Sequence, residues 1–196
     1  MLSRHLRDLA SLGLLVAGLL LARSSLADHY AVPSGSMLPS VEPGGHVFID
    51  KRAFGLRLPL THRYLGAMTL PRRGDVVVLD SPEREDVVLL KRVVALPGDV
   101  VEVRDGRLWL DGRPAQVSGG PGHLSEVLEA GAHPLALEAG GGPDFGPMRL
   151  PPGRFLVLGD NRGNSHDGRD FGLVEGGRLL GRAVGLHRPG QGFRGL

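Results

Sequence analysis

A serine-rich turn in the first quarter of the chain has the residue types of a nucleophile with a hydrogen-bond donor beside it. Ser34, Gly35 and Ser36 stand between Pro33 and Pro39 in the stretch AVPSGSMLPS. The two prolines fix φ and favour an extended residue before each of them, so this stretch is ordered without being helical. Glycine lets a bound chain approach the backbone closely. A serine-capped turn without chemistry is the alternative.

Lysine is rare in this chain, and one lysine lies in an apolar segment. Of the 23 lysine and arginine residues, only Lys51 and Lys91 are lysines. Lys91 lies in the run VVLLKRVVA at 87–95, whereas Lys51 has charged neighbours and is expected to be solvated. A neutral lysine can be the base for a serine, and lowering its pKa from about 10.4 to about 7–8 takes about 4 kcal/mol, which burial can supply. An edge-strand lysine that discourages aggregation is the alternative.

Other constellations that could carry chemistry are weaker. The eight histidines show no HExxH motif and there is no cysteine, so neither a metal site nor a thiol nucleophile is expected. The run 160–170 is similar to a calcium loop, but Arg162 stands where a ligand oxygen is needed. A Ser-His-Asp triad with His166 and Asp167 stays open, although neighbouring side chains on an extended segment diverge. No cofactor is expected.

The elements that would position these residues are mainly strands. The content of 31 glycines and 15 prolines favours a β-rich fold over a helical bundle. Short apolar segments predict strands at 46–50, 76–79, 87–95, 100–103, 108–110, 154–158 and 179–186. The pairs Asp105-Gly106 and Asp111-Gly112 predict tight turns, so the middle of the chain should form a β-meander.

The N-terminal residues form a candidate membrane segment. Arg4 and Arg7 precede the uncharged apolar run 9–22. As a helix this run rises about 21 Å, or about 28 Å when 23–27 is included, against a bilayer core of about 30 Å. The segment alone fits either a cleaved signal peptide or an uncleaved anchor, and in both cases the rest of the chain faces away from the cytoplasm.

Four segments together resemble the successive motifs of bacterial type I signal peptidases. They are SGSMLP at 34–39, RGDVV at 73–77, KRVVALPGD at 91–99 and GDNRGNSHDGR at 159–169. Each piece alone is weak, but their order and spacing make the joint pattern highly specific. Two positions depart from the family pattern: Gly163 stands where an acidic residue is common, and Gly168 where a small hydroxyl residue is frequent. Both glycines are expected to loosen the loop.

The resemblance implies a membrane-bound serine endopeptidase that cleaves signal peptides from exported preproteins after small residues of the Ala-x-Ala type. It implies a Ser/Lys dyad in which Ser36 is the nucleophile and Lys91 is the general base. The Ser34 hydroxyl and the Ser36 backbone N–H would hold the oxyanion. No metal or organic cofactor takes part in this chemistry.

Further residues match supporting positions of the family. Ser165 would orient the lysine amine, and Asp167 with Arg169 would form the charged pair that supports its loop. In the family the substrate binds as an added β-strand, with small pockets for alanine-like side chains. Val32 and Met37 flank the nucleophile and are the candidates for lining these pockets.

The resemblance also implies how the chain is organised: a signal-peptidase-type antiparallel β-sheet catalytic core with an N-terminal transmembrane helix. Residues 1–27 would be a cytoplasmic stub and an uncleaved anchor, and 28–188 an extracytoplasmic β-rich catalytic domain in a single-pass protein of the bacterial plasma membrane. Within it, 116–148 is rich in glycine and proline, contains one weakly helical piece at 124–130, and is predicted to be an insertion or a flexible flap. Residues 189–196 are predicted to be a disordered tail.

The expected partners are preprotein signal peptides and the lipid bilayer. Nucleic acid is not expected, because the formal charge is only +2 and no basic stripe with interleaved aromatics is present. Three alternatives stay open: a related self-cleaving Ser/Lys repressor, a β-rich binding module without catalysis, and a peptidase dedicated to one substrate class. The repressors carry a DNA-binding domain, which is not visible in this sequence.

Overall fold

The protein is mainly β in its computed structural model, which describes residues 13, 27–55, 64, 66–84, 86–120 and 122–196. In chain order the strands are β1 (Ala27–Ala31), β2 (His46–Asp50), β3 (Val76–Asp80), β4 (Val88–Ala95), β5 (Val100–Arg104), β6 (Arg107–Leu110), β7 (Arg113–Pro114), β8 (Gln116–Ser118), β9 (Leu124–Leu128), β10 (Gly131–Leu135), β11 (Phe145–Arg149), β12 (Arg154–Leu158), β13 (Val174–Glu175), β14 (Leu179–Arg188) and β15 (Gly192–Gly195). A short helix, α1, spans Gly168–Phe171, and 3₁₀ turns lie at Arg162–Asn164 and Gly176–Arg178. The predicted fold class, mainly β, is confirmed.

The largest sheet has eight strands, and its pairs are antiparallel. Its order is β1-β2-β14-β3-β4-β12-β13, with β15 also paired to β14. The described residues form two smaller sheets as well, β10-β9-β8 and β11-β5-β6-β7. The predicted turns are present in the second of these: Asp105 and Gly106 have φ of 49° and 73°, the geometry of a type I′ hairpin.

The two faces of β3 contribute to separate parts of the core. Val76 and Val78 belong to a cluster of buried residues that contains Met37, whereas Val77 belongs to a cluster that contains Phe155. This alternation follows from the period of two along a strand, and the four consecutive apolar residues that begin β3 are suited to the interior of a sheet with both faces covered. The serine-rich turn and the strand that carries Lys91 are therefore built onto well-packed β structure.

The predicted membrane anchor lies outside the described residues, apart from Gly13 and from Ala27, which begins β1. Among the described residues, no helix has the length and apolar character needed to cross a bilayer.

The prediction of a helical piece at 124–130 is wrong. The segment 116–148 contains regular strands and is not simply a flap. It contains β8, and β9 and β10 form an antiparallel hairpin. The side chains of β9 alternate, with Glu126 and Leu128 buried and Val127 exposed, which is the pattern of a strand. Cross-strand pairing has overridden the helical preference of the leucine, glutamate and alanine residues.

The prediction of a disordered tail is also wrong for residues 192–195, which form β15 and pair with β14. The pairing depends on a glycine of β14, since a Cβ on Gly185 would overlap the ring of Phe193. Phe193 contacts Phe48 with the ring centroids 5.9 Å apart, and Arg194 donates a hydrogen bond to the Ser40 carbonyl at 2.7 Å.

Candidate active site

The serine-rich turn is held by its own backbone and by one buried side chain. We call residues 31–40 the Ser36 turn. Leu38 N donates to Gly35 O at 3.1 Å, and Val32 N donates to Gly45 O at 2.9 Å. Met37 is 1% exposed and anchors the turn in the core. Ser36 is therefore fixed between a buried neighbour and a tight backbone bend.

Lys91 reaches this turn from the middle of β4. Its Nζ lies 2.9 Å from Ser36 Oγ and 3.1 Å from Ser165 Oγ. The side chain is only 3% exposed, because β4 is paired with β3 and packs its neighbouring residues into the core. The structure thus brings together Ser36, Lys91 and Ser165, which the sequence separates widely.

Burial lowers the pKa of Lys91 to about 8, and the charges of Asp167 and Arg169 act on it in opposite directions. At this pKa roughly one molecule in ten carries a neutral Lys91 amine at pH 7, compared with well under one in a thousand for an ordinary lysine. A neutral amine has a lone pair that can accept the Ser36 hydroxyl proton while its N–H groups donate to Ser165. The arrangement can activate a serine without a histidine.

Ser34 lies at the open side of the turn. Its Oγ is 3.4 Å from Ser36 Oγ. A hydroxyl at this position can donate to an oxygen that develops negative charge next to the attacking Oγ. The geometry is compatible with the oxyanion role that the sequence resemblance implied.

The loop that carries Ser165 is organised by a fully buried ion pair. Asp167 caps α1 by accepting from Arg169 N, and its carboxylate accepts from Arg169 Nε at 2.8 Å and from Gly159 N at 3.0 Å. Both side chains of the pair are 0% exposed, so this is not a surface salt bridge. Burial acts to raise the pKa of Asp167, but Arg169, Gly159 and a hydrogen bond with Ser165 outweigh it and lower the pKa. The carboxylate stays ionised and holds the Ser165 hydroxyl towards Lys91.

The two glycines that depart from the family pattern do not loosen this loop. A Cβ on Gly163 would overlap the Ala139 carbonyl, and a Cβ on Gly168 would lie 2.7 Å from Leu156 Cδ1 and 2.9 Å from the Val157 carbonyl. Both positions are places of close packing. The expectation of a loose loop is therefore wrong.

Asn161 connects the loop to Ser36, a contact that the sequence analysis did not identify. Its backbone N–H donates to Ser36 O at 3.1 Å, and its Nδ2 donates to Gly35 O at 3.2 Å. Gly159 also touches this turn, since a Cβ there would lie 2.5 Å from Ser36 O. Ser36 and Ser165 thus belong to one hydrogen-bonded unit.

Arg92, next to the candidate base, ties the same loop to the Ser36 turn. Its guanidinium forms two hydrogen bonds with Asp160, at 2.8 and 2.6 Å, and donates to Gly74 O at 2.6 Å and to Ser40 Oγ at 3.3 Å. Arg92 and Asp160 lie within the motifs noted in the sequence, but their contact could not be read from their spacing.

A second buried arginine takes its counter-ion from the ribbon formed by β9 and β10. Arg162 Nη2 lies 2.6 Å from Glu126 Oε2, and both side chains are 0% exposed. Arg162 also donates to the carbonyls of Gly159 and Gly106. Burial acts to raise the pKa of Glu126, but Arg162 and His133 outweigh it and lower the pKa to about 2. Glu126 was missed because its segment had been interpreted as a flap; the alternation along β9 was the available signal.

Two candidates from the sequence lie outside this constellation. His166 is 61% exposed and pairs with Glu83 at 2.8 Å, so the Ser-His-Asp alternative has no support from the geometry. Lys51 pairs with Asp28 at 3.1 Å. Among the described residues, no group of three or more histidine or acidic side chains is placed to hold a metal ion.

A cavity of about 310 Å³ opens beside Ser36 and Lys91. Its apolar lining includes Val32, Met37, Val78 and Leu90. Residues 88–91 of β4 pair with β3 on one side, and among the described residues no strand pairs with their other side. An extended peptide could occupy that edge with its side chains in the cavity.

Comparisons with known sequences give one consistent result. A family model described as signal peptidase, peptidase S26, matches residues 6–187. A signal peptidase I of Pseudomonas fluorescens is 35% identical over 190 residues, covering 85% of this chain, and the chain spans 66% of that relative's length. A signal peptidase I of Bacillus licheniformis is 34% identical over 171 residues, covering 87% of this chain and 81% of the relative. A crystal structure of a signal peptidase I from Enterococcus faecalis V583 is 29% identical and covers 58% of this chain and 97% of that chain, with a TM-score of 0.40.

The pKa of Lys91 predicts how the reactivity of Ser36 depends on pH. We expect the rate of Ser36 modification by a serine-acylating reagent to rise about tenfold per pH unit up to about pH 8 and to level off above about pH 9, because only the neutral amine can accept the proton. The rate would be followed by mass spectrometry of the intact protein, corrected for the reagent's own hydrolysis. A Lys51→Ala variant should show the same profile, and a flat profile between pH 5 and 9 would mean that another group is the base.

The same burial predicts that Lys91 costs stability. The pKa of Lys91 is lowered in the folded state, so the unfolded state binds the proton more readily. This penalises folding below about pH 10.5, and fully below about pH 8. Lys91→Met should raise the free energy of unfolding by about 3 kcal/mol at pH 7, and this advantage should disappear as the pH rises from about 8 to about 10.5. Denaturant unfolding of both proteins at pH 7 and pH 10.5 measures this. A variant less stable than the wild type at both pH values would contradict it.

Because the Glu126–Arg162 pair is buried, we expect substitutions of two nearby glutamates, Glu126 and Glu129, to differ greatly in their effect on the free energy of unfolding. Glu126→Gln leaves the Arg162 charge buried without a carboxylate and should lower the free energy of unfolding by about 3–5 kcal/mol. Glu129→Gln removes an exposed contact with Arg73 at 3.3 Å and should change it by less than about 1 kcal/mol. Denaturant unfolding at neutral pH compares them, and equal effects would show that the ribbon is not coupled to the loop.

Proposed function

The chain belongs to the signal peptidase family, peptidase S26, and we propose that it is a membrane-bound serine endopeptidase that removes signal peptides from exported preproteins. The observation that carries this proposal is the 2.9 Å contact between Lys91 Nζ and Ser36 Oγ in a site where the lysine is almost fully buried. This is the geometry of a nucleophile with its base.

Acylation begins with proton transfer from Ser36 to the neutral amine of Lys91. Ser36 Oγ attacks the carbonyl carbon of the residue before the scissile bond, and the oxyanion that forms is stabilised by the Ser34 hydroxyl and the Ser36 N–H. The protonated Lys91 then gives its proton to the leaving nitrogen as the C–N bond breaks. The mature protein leaves with a free amino group, and the signal peptide stays attached to Ser36 as an ester.

Deacylation repeats these steps with water as the nucleophile. Lys91, neutral again, takes a proton from a water molecule, which attacks the ester carbonyl. The second tetrahedral intermediate collapses, Lys91 returns the proton to Ser36 Oγ, and the signal peptide is released as a carboxylic acid. Ser165 keeps the amine pointed at the reacting oxygen in both halves, since its hydroxyl lies 3.1 Å from Lys91 Nζ.

The substrate binds as an extended strand along the open edge of β4, with cleavage after small residues of the Ala-x-Ala type. The cavity of about 310 Å³ supports this, because Val32 and Met37 contribute apolar walls next to Ser36 and leave limited room for side chains. Backbone hydrogen bonds to a strand edge give affinity without regard to sequence, and small pockets restrict the residues that fit.

The N-terminal segment holds the enzyme at the membrane. An uncleaved anchor within residues 1–27 would place the chain as a single-pass protein in the bacterial plasma membrane with the β domain on the extracytoplasmic side. A signal peptide leaving the bilayer would then meet the site without diffusing through bulk water. The bilayer and the preprotein are the partners in this proposal.

Two alternatives make different demands on the dyad. In a binding module without catalysis, burying a lysine beside a serine would lower the stability of the folded state without contributing to any reaction. A peptidase dedicated to one substrate class would use the same chemistry with a narrower choice of preproteins. A cleavage assay with a preprotein substrate distinguishes these alternatives.

Ser36→Ala and Lys91→Ala should each reduce cleavage of a preprotein with an Ala-x-Ala site by at least about 10³-fold, because each removes one half of the nucleophile–base pair. Cleavage by purified protein in detergent would be followed by mass spectrometry of both products. Lys51→Ala is the matched control and should retain full activity.

The outcomes separate the alternatives. Cleavage by Lys91→Ala at a rate close to wild type would mean that Lys91 is structural. If the wild type cleaves no general preprotein but Ser36 still reacts with a serine acylator, the substrate range is narrow. If neither reaction occurs, the binding module is the better explanation.

A further inference from the structure

A second cavity, of about 800 Å³, lies next to the Ser36 turn and has no part in the proposed reaction so far. It lies between this turn and the ribbon of β9 and β10, and its lining includes Leu38, Pro39, Leu124, Ala132, Pro134 and Leu135. Most of the exposed lining surface is apolar, and its polar side chains are those of His123, Ser125, His133, Glu138 and Asn161. A space of this kind suits an uncharged, extended peptide segment.

The two cavities are lined by consecutive residues of the Ser36 turn. The first is lined by Ser36 and Met37, and the second by the next two residues, Leu38 and Pro39. Gly35, which precedes Ser36, has no side chain, and a Cβ there would lie 3.0 Å from Leu38 Cδ1. A peptide that lies in the first cavity and passes over Ser36 therefore continues towards the second.

The floor of the second cavity is fixed to the nucleophile by a chain of hydrogen bonds. Ala136, just beyond β10, donates its N–H to Asp160 O at 2.9 Å and accepts from Arg162 N at 3.1 Å. Between these two residues Asn161 donates to Ser36 O and lines the cavity itself. The ribbon thus has a set position relative to Ser36, and the cavity is formed before any substrate binds.

The edge of β10 offers backbone groups for an extended chain. Within the described residues β10 is an edge strand of its sheet, paired with β9 alone. Ala136 directs its N–H and C=O to the loop, so by alternation Pro134 and Ala132 direct their backbone groups to the same side. Pro134 has no N–H, which leaves its carbonyl and both groups of Ala132 for a peptide.

From these observations we propose that the second cavity binds the first residues of the mature protein, those that follow the scissile bond. It takes about four residues, which extend roughly 13 Å, with small or apolar side chains. The inference rests on the proposed function, because it concerns the far half of the same substrate. It makes Ala132 and its neighbours determinants of specificity for residues after the cleavage site.

Two substrates with the same signal-peptide end test this in the full-length protein in detergent. One continues for five residues after the scissile bond; the other carries an aminocoumarin amide there and has no mature residues. Ala132→Phe fills the second cavity and should lower kcat/KM for the long peptide about tenfold, mainly by raising KM, without changing kcat/KM for the aminocoumarin substrate. Val127→Phe is the matched control, since Val127 lies opposite Ala132 in the β9–β10 register but outside the cavity lining, and should change neither value.

A second measurement needs no variant. For the wild type, removing the residues of the long peptide one at a time from its far end should raise KM stepwise once fewer than about four remain. An equal effect of Ala132→Phe on both substrates, or no effect on either, would overturn the proposal, as would a KM independent of peptide length. If the wild type cleaves neither substrate, the proposed function fails as well, whereas cleavage of both substrates with these negative results overturns the second cavity alone.

Discussion

The structure around the site depends on one constraint: a lysine must lose its hydration and still reach a serine hydroxyl. Lys91 meets it by extending from β4 between paired strands, where burial lowers the pKa to about 8. The shift corresponds to about 3 kcal/mol taken from the stability of the folded state at neutral pH. The paired strands and the core clusters on either side of β3 supply the burial that keeps water away from the amine.

The other cations near the site are arginines that keep their charge. Arg92, Arg162 and Arg169 are all buried, and each pairs with a carboxylate, from Asp160, Glu126 and Asp167 respectively. Arginine stays charged in any protein environment, so each needs a counter-ion when it is buried. Within the described part of the chain, Lys91 has no carboxylate within 4.0 Å, and it is the cation that can give up its charge. The three pairs hold the loop in place while leaving the lysine free to change its protonation state.

Much of this could be predicted from the sequence, and the exceptions have physical reasons. Strand positions in the meander followed from alternation and Asp-Gly turns, and the motifs indicated which serine and lysine belong together. The helix at 124–130 failed because residue preferences there are overridden by pairing between β9 and β10, which no local pattern reports. The role of Glu126 and the ordering of residues 192–195 depend on contacts with residues far away in the chain. Loop glycines were misjudged because composition cannot distinguish freedom from close packing, as Gly163 shows.

The origin of the Arg162 counter-ion has a consequence for making hybrid proteins. The ribbon that provides Glu126 belongs to the segment 116–148, whose composition suggests an exchangeable insertion. Grafting a shorter connector, or the equivalent segment of a relative that lacks an acidic residue at this place, would leave a charged guanidinium enclosed beneath the 159–169 loop. A chimera of this protein therefore has to exchange the ribbon and the 159–169 loop as one piece.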